Sequence, residues 1–99
     1  MSLPIRIRDE AQEELNAAWN WYEQRRDGLG DELLACVEAT LAKVARAPEA
    51  YPRVDGLVRS AVVRRFPYLV LFREYTEYVV VLAVFHTSRD PSGRVGRDS

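Results

Sequence analysis

The sequence predicts an α+β domain of element order β-α-α-β-β-β, an antiparallel helical hairpin packed on one face of a three- to four-stranded, mainly antiparallel sheet. Three observations carry this. Apolar residues recur at helical spacing through the first half, Pro48 closes that half, and beyond Gly56 the pattern changes to strand-like runs joined by short connections.

The first element alternates, with Ile5 and Ile7 on one side and Arg6 and Arg8 on the other, and reads as a short edge strand within residues 3–8. Asp9 followed by Gln12 resembles a capping box, in which each side chain satisfies an orphan amide at a helix start. Ala11, Leu15, Ala18, Trp19 and Tyr22 then form one apolar stripe. Gly28-Leu29-Gly30 ends this helix. The second is expected from near Asp31, with Leu33, Val37, Leu41 and Val44 on its core face, until Pro48 stops it because the ring blocks helical continuation. So short a turn makes the two helices an antiparallel pair. Residues 57–66, 68–75 and 78–85 read as three strands of a meander. The last, Val79-Val80-Val81-Leu82-Ala83-Val84-Phe85, has no alternation and reads as a central strand covered on both faces; the first strand can pair beside it.

A chain of 99 residues, 47% hydrophobic and 29% charged, holds one modest core, which favours a surface groove or binding face over a deep enclosed pocket. No run is long enough to span a membrane, the N-terminus lacks a signal-peptide pattern, and the lone Cys36 reads as a small core residue. These features point to the cytoplasm. The net charge of −1 gives no global basic field, but its distribution is uneven. Asp9, Glu10, Glu13, Glu14, Glu23, Asp27, Asp31 and Glu32 face only Arg25 and Arg26, whereas Arg53, Arg59, Arg64, Arg65 and Arg73 face Asp55 alone. Arginine is the bidentate partner of carboxylate and phosphate. An arginine-rich sheet half therefore reads either as an anion-binding surface or as edge strands guarded against aggregation and paired with the acidic helices.

Strand parity places Arg59 and Arg65 on one face and Arg64 on the other, unless a bulge intervenes. His86 and Arg89 follow the last strand. Histidine suits proton transfer near neutral pH and arginine suits a developing phosphate charge, although a histidine there also serves as a hydrogen-bonded structural residue and Arg89-Asp90-Pro91 as a local ion pair. No Cys/His cluster supports a metal site, and no glycine-rich loop supports a cofactor.

The element order, the Phe66-Pro67-Tyr68 hairpin and the ending Phe85-His86-Thr87-Ser88-Arg89-Asp90-Pro91 resemble the RelE/ParE toxin superfamily of bacterial type II toxin–antitoxin systems. The likeness implies a single toxin domain over residues 1–91 and a polar tail over 92–99. It implies a plasmid-stabilisation-type toxin wrapped and neutralised by a cognate antitoxin, as a hetero-oligomer with it or a homodimer, without cofactor. Two branches differ in target: ParE-like members inhibit DNA gyrase and have no established nuclease site, whereas RelE-like members cut messenger RNA on the translating ribosome. Here the only lysine, Lys43, lies in the second helix, so the sheet lysines of some RelE nucleases are missing, and no tyrosine follows Arg89. The ParE-like reading is favoured, with Arg59, Arg64, Arg65, Arg73 and Arg89 as target- or antitoxin-binding groups and no catalytic set. The alternatives are a nuclease using His86 as base with Arg65 and Arg89 on the phosphate, or an inactive relative that only binds antitoxin.

Overall fold

The structure, a computed structural model, describes residues 2–88, so the expectations for Arg89 and for the tail lie outside the described residues. Its elements run β1 (Ile5–Ile7), α1 (Asp9–Glu23), α2 (Leu29–Arg46), a single 3-10 turn (Pro48–Ala50), β2 (Arg53–Asp55), β3 (Val58–Val62), β4 (Tyr68–Glu74) and β5 (Val79–His86). The sheet has the order β1-β5-β4-β3-β2. It is antiparallel except for β1, which crosses over through the helical pair to lie parallel to β5, with Ile5, Arg6 and Ile7 opposite Val79, Val80 and Val81. The predicted order holds, with one strand more than expected. None of the described helices is long and apolar enough to cross a membrane.

The helix starts differ from their sequence signals. Asp9 lies inside the first turn of α1, where its charge suits the helix dipole, and the cap position falls on Arg8 with no side-chain bond. Gln12 instead donates to Asn16, so the capping box does not form. In the next helix Gly28 takes the left-handed φ of 88° that turns the chain, and α2 begins at Leu29 rather than Asp31. The cap comes from across the turn. The Glu23 carboxylate accepts the amides of Gly28 (3.1 Å), Gly30 (2.9 Å) and Asp31 (3.3 Å), satisfying donors that the helix start leaves open. Gly30 is buried inside α2, where a Cβ would sit 2.6 Å from the Trp19 carbonyl oxygen, so glycine sets how closely the helices approach.

One face of the sheet carries the core. Ala11, Leu15, Ala18 and Tyr22 of α1 and Leu33, Val37 and Val44 of α2 pack on Ala61, Val70, Phe72, Val79, Val81 and Val84. Leu69 and Leu71 alternate to the opposite face and remain half-buried. The unbroken apolar run of β5 is thus covered on both faces in its second half, where Ala83 and Phe85, opposite Leu71 and Leu69 on the outer face, are buried. Its first half alternates buried and half-buried residues, and a bulge at Leu82 shifts the register, so that Ala83 opposes Leu71 while Val81 opposes Phe72. Beyond the bulge, where β1 has ended, the Val84 amide is satisfied by the Glu14 carboxylate of α1 at 2.8 Å.

Candidate partner-binding site

One side of α2 presents Ala35, Cys36, Ala39, the buried Thr40 and Lys43 at helical spacing. Facing it is the β3–β4 turn, and together with Arg64 and Arg65 these residues line a groove of about 250 Å3. The alanines give it an apolar floor, Cys36 is half-buried in it, and Thr40 donates its hydroxyl back to the Cys36 carbonyl oxygen at 3.0 Å, which hides the polarity of that hydroxyl. Three cationic side chains border the floor.

The turn itself explains why two adjacent arginines meet at one groove. Strand β3 ends at Val62, not near Phe66, and Arg65 takes a φ of 73°. Alternation therefore breaks, and parity no longer separates Arg64 from Arg65. The left-handed conformation costs a non-glycine residue about 1–2 kcal/mol. In return the turn buries Phe66, whose ring stands edge-on to Tyr22 with centroids 5.1 Å apart. Arg65 Nη2 lies 3.1 Å from Glu32 Oε1, and Arg26 Nη2 lies 3.2 Å from Glu32 Oε2. Hydrogen bonds from Arg26 and then Arg65 hold the Glu32 carboxyl below the usual carboxylate range. Lys43 and Arg64 make no ion pair among the described residues, so the groove keeps a positive border.

The other sequence candidates separate. Arg59 lies on the helix-facing side, its side chain 13% exposed, with Nη1 donating to the Tyr51 carbonyl oxygen at 2.6 Å and Nε 3.9 Å from Glu74. It anchors the loop that follows the 3-10 turn. Arg73 stands on the opposite face beside Val58 and Val80. His86 ends β5 opposite Tyr68, ring to ring at 5.2 Å and 83°. Its Nδ1 accepts the Ser88 amide at 3.0 Å. A backbone amide can only donate, so the Nδ1 lone pair is taken and the neutral ring carries its proton on Nε2. The next residue, Thr87, ties this strand end to the β3–β4 turn by donating its amide to the Pro67 carbonyl oxygen at 2.8 Å. No cluster of metal-ligating side chains occurs among the described residues. Lys43 was not among the sequence candidates. Its place four residues after Ala39, on the helix's small-residue side, was the signal for it.

This geometry can be set beside known proteins. Over residues 5–91 the sequence matches the family of the ParE toxin of type II toxin–antitoxin systems. The chain belongs to the ParE toxin family. Among curated proteins none matches. Solved structures share the fold. The chromosomal ParDE toxin–antitoxin system of P. aeruginosa superposes with a TM-score of 0.75 at 13% identity, covering 86% of this chain and 96% of that one. The RelBE2 toxin–antitoxin complex of Mycobacterium tuberculosis gives 0.63 at 22% identity, covering 87% and 92%. A mutant of the E. coli toxin RelE in its free state gives 0.67 at 17% identity, covering 91% and 88%. At such identities these likenesses carry the ParE/RelE toxin fold, and the family match carries membership.

Proposed function

We propose that this ParE-family chain acts as a toxin by binding DNA gyrase in the cytoplasm rather than by cutting RNA, and that a cognate antitoxin neutralises it by covering the groove between α2 and the β3–β4 turn. The observation that carries the reading is the state of His86. A general base needs a lone pair within reach of the proton it removes. In His86 the Nδ1 lone pair already accepts the Ser88 amide, which leaves neutral imidazole with a donor, not an acceptor, at Nε2. Arg65, the proposed phosphate ligand of a nuclease, is engaged by Glu32.

Binding is the chemistry this surface favours. The groove offers an apolar floor with Lys43, Arg64 and Arg65 at its border, which suits an amphipathic segment carrying acidic side chains. The family's pairing of toxin with antitoxin supports such a partner.

The test is to induce the chain in bacteria and follow plasmid supercoiling and messenger RNA integrity together. Supercoiling should fail first, purified chain should inhibit gyrase directly, and His86→Ala should remain toxic. Cleavage of translated message that disappears in His86→Ala, with gyrase unaffected, would overturn the proposal. So would induction without any growth phenotype, which assigns the chain to antitoxin binding alone.

A further inference from the structure

The β4–β5 hairpin holds an arrangement that neither the groove nor the strand-end histidine uses. Tyr75 and Tyr78 stack face to face, centroids 4.9 Å apart and planes 18° from parallel. Each ring carries a guanidinium: Arg73 lies 4.8 Å from the Tyr75 centroid and Arg6 lies 4.3 Å from the Tyr78 centroid. The stacked rings leave no room for a guanidinium between them, so the order is arginine, tyrosine, tyrosine, arginine.

Sheet register explains it. Arg73 and Tyr75, two residues apart, share a face, as do Tyr78 and Val80. Arg6 pairs with Val80 on one side and Arg73 pairs with Val80 on the other, so the two arginines flank Val80 on the face away from the helices. Their backbones are two strand spacings apart, roughly 10 Å.

Neither arginine has an acid beside it among the described residues. Neither makes a hydrogen bond through its side chain or an ion pair among the described residues, and Arg73 Nε is buried without an acceptor. The only acid in β3, β4 and β5 is Glu74, which turns to Arg59 on the other face. Around Val80 the surface is apolar, with Leu71 half-buried and, farther along, Val62 69% exposed. The aromatic faces are already covered by each other and by the arginines, which leaves none for a nucleobase to stack on. What remains for a ligand is two guanidinium groups at the ends of the ring stack, with Val80 on the strand between the backbones that carry them.

We propose that this hairpin face is a second binding site, a carboxylate clamp in which Arg6 and Arg73 hold two acidic side chains of an amphipathic helix crossing the strands, with an apolar residue of that helix over Val80. Acids seven residues apart on a helix are separated by about 10.5 Å along its axis, close to the spacing of the two arginine backbones, with the long glutamate side chains reaching outward to guanidinium groups at the ends of the ring stack, and an apolar residue three or four positions on falls between them. The apolar surroundings favour such a peptide, which brings an apolar face, over a phosphate backbone. Only the identity of the partner as an antitoxin rests on the toxin reading.

The test uses the full chain and a short fluorescein-labelled helical peptide with glutamate at i and i+7 and leucine at i+3 and i+4. Anisotropy should show binding, and a glutamine-for-glutamate peptide should bind at least about tenfold more weakly, because the charge-assisted bonds are gone. The Arg6→Ala/Arg73→Ala chain should lose the peptide to a similar extent, Arg6→Lys/Arg73→Lys should recover part of it, and Arg46→Ala, at the exposed end of α2 away from both sites, should leave it unchanged. The glutamine peptide tests the idea on the native chain even if an arginine variant folds poorly. No peptide binding, equal binding of the two peptides, or an oligonucleotide that displaces the peptide through the same arginines would overturn the proposal. Growth arrest on induction without peptide binding removes the clamp and keeps the toxin reading. Peptide binding through these arginines without growth arrest does the reverse.

Discussion

Arg59 and Arg73 stand on neighbouring strands one residue row apart, with Arg59 opposite Phe72 and Arg73 opposite Val58. They differ in face, and their roles diverge completely. Arg59 points to the helical side, where the loop after the 3-10 turn supplies the Tyr51 carbonyl and Glu74 supplies a carboxylate. Arg73 points to the outer side, where the described residues supply an aromatic ring and no acceptor. A buried cation with its own acceptors within the chain is structural, while one left without them is stabilised when another molecule brings them. The same contrast separates the two faces of the sheet as a whole: one is closed by helices, the other is apolar, basic at one end and only partly covered.

The largest test of that contrast is in the strand between them. Phe72 is fully buried on the helical face and Leu71 half-buried on the outer one. Phe72→Ala should cost about 3–5 kcal/mol in urea unfolding, by lost transfer energy and a cavity. Leu71→Ala should cost about 1 kcal/mol, in keeping with its partial burial. Equal costs would mean that the outer face is packed as tightly as the core and is no binding surface.

The arginines themselves give a smaller, sharper difference. Arg59→Ala should destabilise by about 1.5–3 kcal/mol, since it removes hydrogen bonds from a charged donor and leaves the loop carbonyl without its partner. Arg73→Ala forfeits a cation–π contact of about 0.5–1 kcal/mol but also relieves the orphan Nε–H, so stability should hardly move. If Arg73→Ala destabilises as much as Arg59→Ala, the outer arginine is structural too.

How far these roles were legible in the sequence depended on the distance over which each is decided. Of the stripe Ala11, Leu15, Ala18, Trp19 and Tyr22, a local period that gave the helix and its buried face, all but Trp19 are buried; Trp19 is half-buried and donates its indole N–H to Asp31. The crossover of β1 onto β5 followed from the unbroken apolar run that needed a neighbour. The start of α2, expected near Asp31, lies slightly earlier, at Leu29, because its cap, Glu23, arrives from the end of the preceding helix rather than from the residues at the boundary. Strand β2 was missed because all three of its residues are exposed and show no apolar alternation, although Asp55-Gly56, with Gly56 at a φ of 58°, is a hairpin signal. Arg64 and Arg65 converge only through the left-handed turn at Arg65, which parity on an assumed strand did not include. The Arg6–Tyr78–Tyr75–Arg73 stack joins three strands and needs both registers. It became visible only with the sheet in place.

The smallest effect concerns the one arginine of the groove that does have an acid. Glu32 bonds Arg26 and Arg65, and its carboxyl is held below its ordinary value by those two contacts. A carboxyl with a depressed folded-state pKa contributes stability that is complete above the unfolded carboxyl value of about 4.3 and vanishes as pH falls through the lower folded value. Glu32→Gln should therefore lower stability slightly at neutral pH, and the unfolding curves of the two proteins should converge in acid. The pair is solvent-accessible, so salt should shrink the difference as well. The same variant releases Arg65 into the groove, and an acidic partner that uses the groove should bind Glu32→Gln more tightly than the native chain. A partner that binds both equally would place its contacts at Lys43 and Arg64 instead, with Arg65 left, like Arg59, to the fold.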